Sequence, residues 1–387
     1  MKQELELYIH IPFCVKKCNY CDFLSFPGTL RAQEEYVAQL INELTFRAAF
    51  CSEYTVSSVF VGGGTPSVIP ETLIAAILEA VNKYYYTRPD MEVTVECNPA
   101  SAMRHKFAAY KSAGVNRLSI GLQSADNAEL KMLGRIHTFE EFLKSYQFAR
   151  MEGFDNINVD LISCIPMQSL KNWKRTLKNT LMLKVDHVSV YNLIIEEGTP
   201  FYDMNKKGLL LMPGEDEQAA IDDFTAECMD KYGYIRYEFS NYAKSGKECR
   251  HNIGYWKGVP YIGFGIGASS YFEGVRWNNV RNISSYMNIR FDNEDPLKAD
   301  ELLKENAVKL SREDRIEEFM FLGLRMISGV SASDFRMRFG AQIENVYGEV
   351  LRKNTANGLI INEDDNYRLS DRGIEISNTV LSDFLLH

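Results

Sequence analysis

The chain has 387 residues, of which 45% are hydrophobic and 25% charged, and its formal net charge is −9 with histidine counted as neutral. This length predicts about two domains on a prior of roughly 150 residues each, and no apolar run approaches the roughly 20 residues that a membrane helix needs. The acidic balance argues against broad contact with nucleic acid, which requires basic surface. Because the N-terminus also lacks a basic-then-apolar signal, we expect a cytoplasmic globular protein with no membrane span and no nucleic-acid partner.

The first predicted strand runs from Leu5 to Ile11 and is followed by three closely spaced cysteines. Cys14, Cys18 and Cys21 come after Pro12, at spacings of four and three residues. Soft thiolates select zinc, Cu(I) or an iron–sulfur cluster. Four cysteines normally hold a four-iron cluster, so three leave one coordination position open for another ligand.

Two alternatives to a cluster remain at this point. His10 could add a fourth ligand and complete a zinc site. The three cysteines could also share one face of a helix and be buried core thiols, since positions i, i+4 and i+7 lie on one side.

Strand-like segments alternate with amphipathic helical segments through the first half of the chain. Six strands are predicted near Leu5–Ile11, Val56–Val61, Met91–Glu96, Arg117–Gly121, Ile157–Leu161 and His187–Asn192. Helices are predicted near Ala32–Phe50, Pro70–Tyr86, Ala102–Ala113, Phe139–Gly153 and Leu170–Leu183. Such β/α units predict a parallel sheet covered by helices, and right-handed crossovers would curl it into a barrel or partial barrel.

Glycine and polar residues recur where these strands end. They are Gly62, Gly63, Gly64 and Thr65, Glu96 and Asn98, Gln123, Asp160, Tyr191 and Asn192. The carboxyl ends of barrel strands meet at one face, so we expect a shared cavity there. Structural alternatives are that the glycines only make a tight turn, that Gln123 only caps its strand, and that Glu96 and Asp160 pair with an arginine such as Arg135.

A tyrosine-rich segment follows a predicted helix from Glu215 to Lys231. His251 lies there in an HNxxYW motif, two residues after Cys249. A neutral imidazole on an exposed aromatic loop can serve as an axial haem ligand, although a histidine hydrogen-bonded in a turn is the structural alternative and Cys249 a rival ligand.

The last part of the chain changes character near residues 293–306, where charges and a proline collect. Helices and then a hairpin-like segment resemble a winged-helix module. Residues 313–387 hold 8 Lys and Arg against 13 Asp and Glu, so we expect a lid or packing domain rather than a DNA binder. The predicted domains are therefore 1–215, 216–295 and 296–387.

The cysteine motif CxxxCxxC, with Tyr20 just before its third cysteine, resembles the signature of radical S-adenosylmethionine (SAM) proteins. The preceding YIHIPFC is similar to the branch that contains oxygen-independent coproporphyrinogen III oxidase and its haem-chaperone relatives, the HemW-like proteins. The resemblance implies an α/β fold with a partial (β/α)6 TIM-type barrel as radical SAM core. It also implies that Cys14, Cys18 and Cys21 hold a 4Fe-4S cluster whose fourth iron binds SAM.

The resemblance further implies roles for residues around the predicted cavity. Contacts to SAM on the cluster are implied for Tyr8, Tyr20, Gly63, Gly64, Thr65, Glu96 and Ile194. Gln123, Arg135 and Asp160 correspond to positions that bind a second SAM in the oxidase. His251 corresponds to the proposed haem ligand of the haem-chaperone relatives.

Two departures from the oxidase favour the chaperone-like group. Phe23 stands where the oxidase carries an additional cysteine, and only seven residues precede Tyr8. We therefore expect a protein that binds the cluster, SAM and haem and delivers haem to an acceptor protein. A tetrapyrrole-modifying enzyme such as the oxidase, with an electron donor such as flavodoxin or ferredoxin, is the first alternative. A zinc-stabilised, non-catalytic barrel is the second.

Overall fold

Helices and strands alternate along most of the chain in the computed structural model, which describes residues 2–291 and 296–386. The strands are β1 Gln3–Ile11, β2 Tyr54–Gly63, β3 Thr87–Cys97, β4 Arg117–Gln123, β5 Ile157–Ser163, β6 His187–Asn192, β7 Ile235–Arg236, β8 Asn241–Ala243, β9 Tyr261–Phe264, β10 Ser269–Phe272, β11 Val275–Asn279, β12 Lys304–Lys309, β13 Val330–Ser331, β14 Ile360–Glu363 and β15 Asn366–Leu369. The helices are α1 Leu30–Ala48, α2 Glu71–Tyr84, α3 Arg104–Ser112, α4 Asn127–Met132, α5 Phe139–Met151, α6 Leu170–Met182, α7 Pro200–Lys206, α8 Glu215–Lys231, α9 Arg250–Trp256, α10 Ile283–Met287, α11 Pro296–Leu303, α12 Arg312–Gly323, α13 Ala332–Phe339, α14 Ile343–Ala356, α15 Asp371–Glu375 and α16 Ser377–Ser382. In these described ranges no helix is long and apolar enough to cross a membrane.

Six neighbouring parallel strands, β1 to β6, form the centre of a twelve-stranded sheet. The sheet order is β12-β11-β10-β9-β1-β2-β3-β4-β5-β6-β8-β7, and β7 and β12 are its two edges. A helix follows each of the first five strands before the next one begins, as the alternation of segments predicted. The predicted partial (β/α)6 barrel is confirmed.

The first strand shows why this sheet curls around a polar interior. Leu5, Leu7 and Ile9 alternate with Glu6 and Tyr8, and successive side chains of a strand point to opposite faces. The leucines and isoleucine are fully buried in the main hydrophobic core. Their neighbours contact other strands inside the barrel, so the interior carries polar groups while the outer face packs on helices.

A second hydrophobic core lies in the C-terminal part of the chain, from Ile316 to Phe384. There β13, β15 and β14 form a small sheet beside α12, α13 and α14, and the β14–β15 hairpin makes the wing. The predicted winged-helix-like module is confirmed.

The boundary of this module was predicted at residue 296, within a charged run of which residues 292–295 lie outside the described residues. Ala299 and Leu303 pack in the main core, and β12 pairs with β11 of the large sheet. We therefore propose that the C-terminal domain begins near Ser311, the N-cap of α12, while the other predicted domain boundaries stay predictions.

The C-terminal domain packs against the segment around α9. The Ile327 amide donates to the Tyr237 carbonyl at 3.0 Å, and Arg338 Nη1 donates to the Lys257 carbonyl at 2.8 Å. Tyr237, Ala243 and Met326 share a buried apolar cluster. These contacts place the domain beside the HNxxYW helix.

Candidate functional site

The three cysteines lie on an irregular loop that leaves the sheet after β1. The Phe13 ring anchors this loop by edge-to-face contacts with Tyr36 and Phe26 at 5.5 and 5.8 Å between ring centroids. Cys14, Cys18 and Cys21 are free thiols, partly exposed and outside any helix. The alternative of buried thiols on a helix face is therefore wrong.

The zinc alternative gains no support from the geometry. His10 is buried, and its two ring nitrogens lie within hydrogen-bond distance of the Tyr8 hydroxyl at 3.1 Å and the Leu24 carbonyl at 2.9 Å. Across residues 2–291 and 296–386, no three His, Cys, Asp or Glu side chains converge as ligands of one ion must. In a four-iron cluster each thiolate binds a different iron, so the three cysteines fit a cluster without meeting at one point.

A cavity of about 380 Å³ opens beside these thiols at the carboxyl ends of the parallel strands. We call it the cysteine cavity. Twelve of the predicted site residues line it: Cys14, Cys18, Cys21, Tyr20, Gly63, Gly64, Thr65, Glu96, Gln123, Arg135, Asp160 and Ile194. Tyr8 and His251 are the predicted site residues that are absent from this lining. The expected gathering of polar groups at one end of the barrel is thus present.

The glycines after β2 bring the second strand against the cysteine loop. Gly63 has φ +110°, and a Cβ there would lie 2.5 Å from His10 Nδ1; a Cβ on Gly64 would lie 2.8 Å from the Phe13 carbonyl oxygen. Thr65 Oγ1 then lies 3.2 Å from Cys14 Sγ. The run therefore makes the tight turn of the structural alternative and also lines the cavity.

Glu96 presents a carboxylate to the cysteine cavity from the end of β3. Its Oε2 accepts a hydrogen bond from the Gly63 amide at 3.2 Å. The surrounding protein desolvates this carboxyl and, with the nearby Asp160, raises its pKa to about 8. In the described part of the chain Glu96 forms no ion pair, and a cationic ligand bound beside it would favour the ionised form of this carboxyl.

Asp160 faces the same cavity but has both oxygens engaged. Ser119 Oγ donates to Oδ2 at 2.9 Å and Asn158 Nδ2 donates to Oδ1 at 2.8 Å. Burial raises the pKa of this carboxyl. The suggested ion pair with Arg135 is wrong, because Arg135 donates to the Gly121 carbonyl at 2.8 Å and approaches Cys18 Sγ at 3.8 Å.

The end of β4 is irregular where it meets the cavity. Gln123 has φ +71°, a left-handed conformation that is uncommon outside glycine, and the pairing with β5 shifts register between Gly121 and Gln123. A Cβ on Gly121 would lie 2.9 Å from Gln123 Nε2 and 3.2 Å from Arg135 Nη2. This bulge brings the side-chain amide of Gln123 and the guanidinium of Arg135 into one region of the cavity. A residue that only capped the strand would not need such an irregular backbone.

The two predicted SAM-flanking tyrosines occupy different levels. Tyr20 packs beside Leu133, Ile162 and Phe201 at the cavity wall. Tyr8 lies deeper, where its ring stacks on Phe60 with 6.4 Å between centroids.

The structure contradicts the expectation that His251 lies on an exposed loop. His251 is 1% exposed and lies in α9, with Nδ1 2.8 Å from Ser58 Oγ and Nε2 2.9 Å from the Tyr255 hydroxyl. Burial lowers its pKa to about 3, and Glu6, 3.8 Å away, has its pKa raised by burial to about 9, so the contact is between neutral groups and not an ion pair. Both ring nitrogens are engaged, and neither is available to a haem iron in this conformation.

The sequence could not show this burial because it depends on distant residues. Gly254 lies directly on the Glu6 side chain, where a Cβ would overlap the carboxylate. Glu92 on β3 accepts hydrogen bonds from the amides of Arg250 and His251 at 3.1 and 3.2 Å. Thus α9 packs against the side chains that β1, β2 and β3 direct into the barrel.

Cys249, the rival ligand, is also fully buried, with Sγ 3.5 Å from Glu92 Oε1.

A chain of hydrogen bonds, which sequence reasoning missed, joins α9 to the cysteine cavity. The Cys249 amide donates to the Tyr237 hydroxyl at 3.3 Å, and that hydroxyl lies 2.7 Å from His187 Nε2. His187 Nδ1 lies 2.6 Å from Asn158 Oδ1, and Asn158 Nδ2 donates to Asp160. The members come from separate segments with no shared motif, so only the strand register brings them together.

Comparison with known proteins agrees with this geometry. Residues 8–179 match the Radical SAM superfamily and residues 310–376 match the HemN C-terminal domain. Proteins named heme chaperone HemW from Bacillus subtilis and Lactococcus lactis are 34% and 36% identical, each over 98% of this chain and over 98% and 97% of their own lengths. The chain belongs to the HemW family.

This membership confirms the resemblance seen in the cysteine motif, and a 4Fe-4S cluster and SAM are the cofactors of its superfamily. The solved structure of Escherichia coli coproporphyrinogen III oxidase (HemN), described as a radical SAM enzyme, is similar with a TM-score of 0.84. It is 20% identical and covers 99% of this chain and 90% of its own, and so shows a shared fold.

Proposed function

We propose that this chain is a haem chaperone of the radical SAM class, which binds haem and delivers it to an acceptor protein. The observation that carries the proposal is the nearly full-length similarity to relatives named heme chaperone HemW. The acceptor, a cytoplasmic location and any electron donor such as flavodoxin or ferredoxin belong to the same proposal and rest on the sequence alone.

Cys14, Cys18 and Cys21 would hold the cluster at the mouth of the barrel. Such a cluster would bind SAM and, in its reduced state, would supply the electron for SAM cleavage. Glu96 offers a carboxylate to a positively charged group of SAM, and the glycine turn at Gly63 allows close approach of the backbone. The cysteines, Glu96 and Gly63 all line the cysteine cavity, so one SAM molecule could contact them together.

Gln123, Arg135 and Asp160 are assigned to a second SAM position in the same cavity. Tyr20 and Thr65 line it beside the cysteines, and Ile194 contributes from the segment after β6. Contact of Tyr8 with SAM stays a prediction, because its ring stacks on Phe60 and does not line the cavity.

Haem binding by the purified, anaerobically reconstituted chain tests the function. We expect a saturable shift of the Soret band, and replacement of that band by the Soret band of the holo acceptor when an apo haem protein is added. A chain that carries its cluster and shows no Soret shift would contradict the proposal.

The role of His251 is tested in the same titration with His251→Ala. An iron ligand predicts weaker binding of haem and unchanged binding of iron-free protoporphyrin IX. The buried position predicts instead that both ligands change together, because the variant disturbs α9 and not a bond to iron. Circular dichroism of the variant checks that the fold is retained.

The oxidase alternative is tested by product analysis with coproporphyrinogen III under reducing conditions. Phe23, where the oxidase carries a further cysteine, is 66% exposed at the edge of the cysteine cavity. We expect no decarboxylated product, and decarboxylation at enzymatic turnover would overturn the chaperone proposal.

A further inference from the structure

A second cavity, of about 280 Å³, lies beside the cysteine cavity, and Tyr191 lines both. We call it the α9 cavity. Its other lining residues are Glu238, Phe239, Ser240, Asn241, Asn252, Tyr255, Trp256 and Arg325. It therefore combines one side of the HNxxYW helix with the first loop after α12.

Arg325 is an unusual cation in this acidic chain. Its guanidinium lies 5.5 Å from the ring centroids of both Phe239 and Trp256, and it is half-buried. Within residues 2–291 and 296–386 this guanidinium makes neither a hydrogen bond nor an ion pair. A guanidinium held between two aromatic rings, with its donors unused, is suited to a carboxylate.

Two further polar atoms at this cavity lack partners. Asn241 is 3% exposed, and its Oδ1 accepts no hydrogen bond; the indole Nε1 of Trp256 is buried and donates none. Both atoms have almost no exposed surface, so neither is open to the cavity in this conformation, and the unused donors of Arg325 carry the argument.

The two sides of α9 have different neighbours. His251 and Gly254 face the barrel interior, where they contact Ser58 and Glu6. Asn252 and Trp256, four residues apart and hence on one side of a helix, line the cavity. Tyr255 connects the two sides, because it lines the cavity while its hydroxyl lies 2.9 Å from His251 Nε2.

We infer that the α9 cavity binds one edge of a planar tetrapyrrole, with the ring against Trp256 and Phe239 and a ring carboxylate on Arg325. This inference rests on the proposed function and assigns a binding site to its tetrapyrrole ligand. Because pockets for a whole ligand usually measure roughly 300–1,000 Å³, a smaller cavity takes the carboxylate edge and leaves the rest of the ring outside.

Glu238 is the one acidic side chain lining the α9 cavity. Its Oε1 accepts from the Ser240 amide at 3.1 Å, and burial raises the pKa of this carboxyl.

A cavity of about 370 Å³ on the C-terminal side of Trp256 is the rival site. Its two arginines are engaged: Arg338 contacts Asp334 at 3.6 Å and the Lys257 carbonyl, and Arg315 donates to the Ser311 carbonyl at 3.2 Å. Lys257 also lines it, but an ammonium lacks the planar fork of donors that matches a carboxylate, so the unused guanidinium of Arg325 favours the α9 cavity.

Binding of iron-free protoporphyrin IX and of its dimethyl ester to the full chain tests the inference, because the ester lacks free carboxylates and neither probe can bind through iron. We expect Arg325→Gln to weaken binding of the free acid by about tenfold or more, the usual effect of losing a charge-assisted contact. Binding of the ester should stay as in the wild type. Arg352→Gln, at an exposed position of α14, is the matched control and should change neither ligand.

Three results would overturn the inference. Arg325→Gln could bind the free acid as tightly as the wild type, it could lose acid and ester equally, or Arg315→Gln could show the acid-specific loss instead. The proposed function fails separately, if the wild-type chain binds neither protoporphyrin IX nor haem.

Discussion

Replacing Gly254 by alanine tests the placement of the HNxxYW helix. A Cβ at this position would overlap the carboxylate of Glu6, which is 2% exposed and lies between β1 and α9. The carboxylate has little freedom to move, since Ser58 and His251 pack beside it. The helix must therefore shift away from the barrel interior, or Glu6 must leave its position.

The expected cost follows from two opposing effects. Inserting a methyl group into a packed interior costs about 1–3 kcal/mol, whereas glycine to alanine in a helix gains at most about 1 kcal/mol. With the full gain subtracted, the net cost is about 0–2 kcal/mol, and the severe overlap of the new Cβ with Glu6 Oε1 places Gly254→Ala near the upper end, at about 2 kcal/mol. Gly348→Ala in α14 is the matched control, because its Cβ would meet the flexible far end of the Arg352 side chain at 3.3 Å and Glu344 Cβ at an ordinary contact distance of 4.0 Å. It should leave stability unchanged or slightly raised.

Urea denaturation of the variants measures these free energies. If the overlap with Glu6 is the cause, Gly254→Ala should cost less in a Glu6→Ala background, which a double-mutant cycle reveals. A Gly254→Ala chain as stable as the wild type would refute the packing of α9 described above, and equal losses for Gly254→Ala and Gly348→Ala would show that the overlap is not responsible.

Two further predictions concern the cluster and acid stability. Cys18→Ala should lose the cluster. Cys97→Ala, which removes a buried thiol on the same cavity, is the control and should keep about four irons per chain after anaerobic reconstitution. Iron analysis measures both variants, and equal iron contents would contradict the assignment. Burial lowers the pKa of His137 to about 3, so the folded chain holds this imidazole neutral while the unfolded chain takes up a proton below about pH 6.5. Stability should therefore fall as pH drops from about 6.5 toward 3, by up to about 1.4 kcal/mol per pH unit for this group, and His137→Gln should remove that part of the slope in denaturation series; an unchanged slope would contradict it.

The sheet and the cysteine cavity could be predicted because their signals are local. Each of the six parallel strands ends in, or is followed within three residues by, a glycine, a cysteine or a polar residue, and a parallel sheet brings all such ends to one edge. The short helix α4 was missed, although Asp126 caps it by accepting from the amides of Ala128 and Glu129. Its six residues are too few for a clear helical period.

The burial of His251 could not be predicted, because an aromatic, glycine-containing segment is equally typical of an exposed loop. What buries it is the match between Gly254 and Glu6, on strands and helices far apart in sequence. The same holds for Arg325, whose lack of an acidic partner becomes visible only when every neighbour is in place.

The hydrogen bonds from α9 to the cysteine cavity all run in one direction, which gives them a consequence for binding. Because the Asn158 amide oxygen can only accept, His187 carries its proton on Nδ1, and its Nε2 accepts from the Tyr237 hydroxyl. Burial lowers the pKa of His187, so it stays neutral and the chain of donors ends on the Asp160 carboxylate. A cation bound at Asp160 should thus alter the hydrogen bonds that hold the start of α9.

Coupling between two sites is reciprocal, so SAM and a tetrapyrrole should change each other's affinity by the same factor. We expect that factor to approach one in His187→Leu, which interrupts the chain while leaving the lining of both cavities intact. Titrations of each ligand with and without the other measure the factor, and iron content of the variant controls for cluster loss. A wild-type factor of one, or a factor unchanged in His187→Leu, would show that the hydrogen bonds support the barrel without transmitting occupancy.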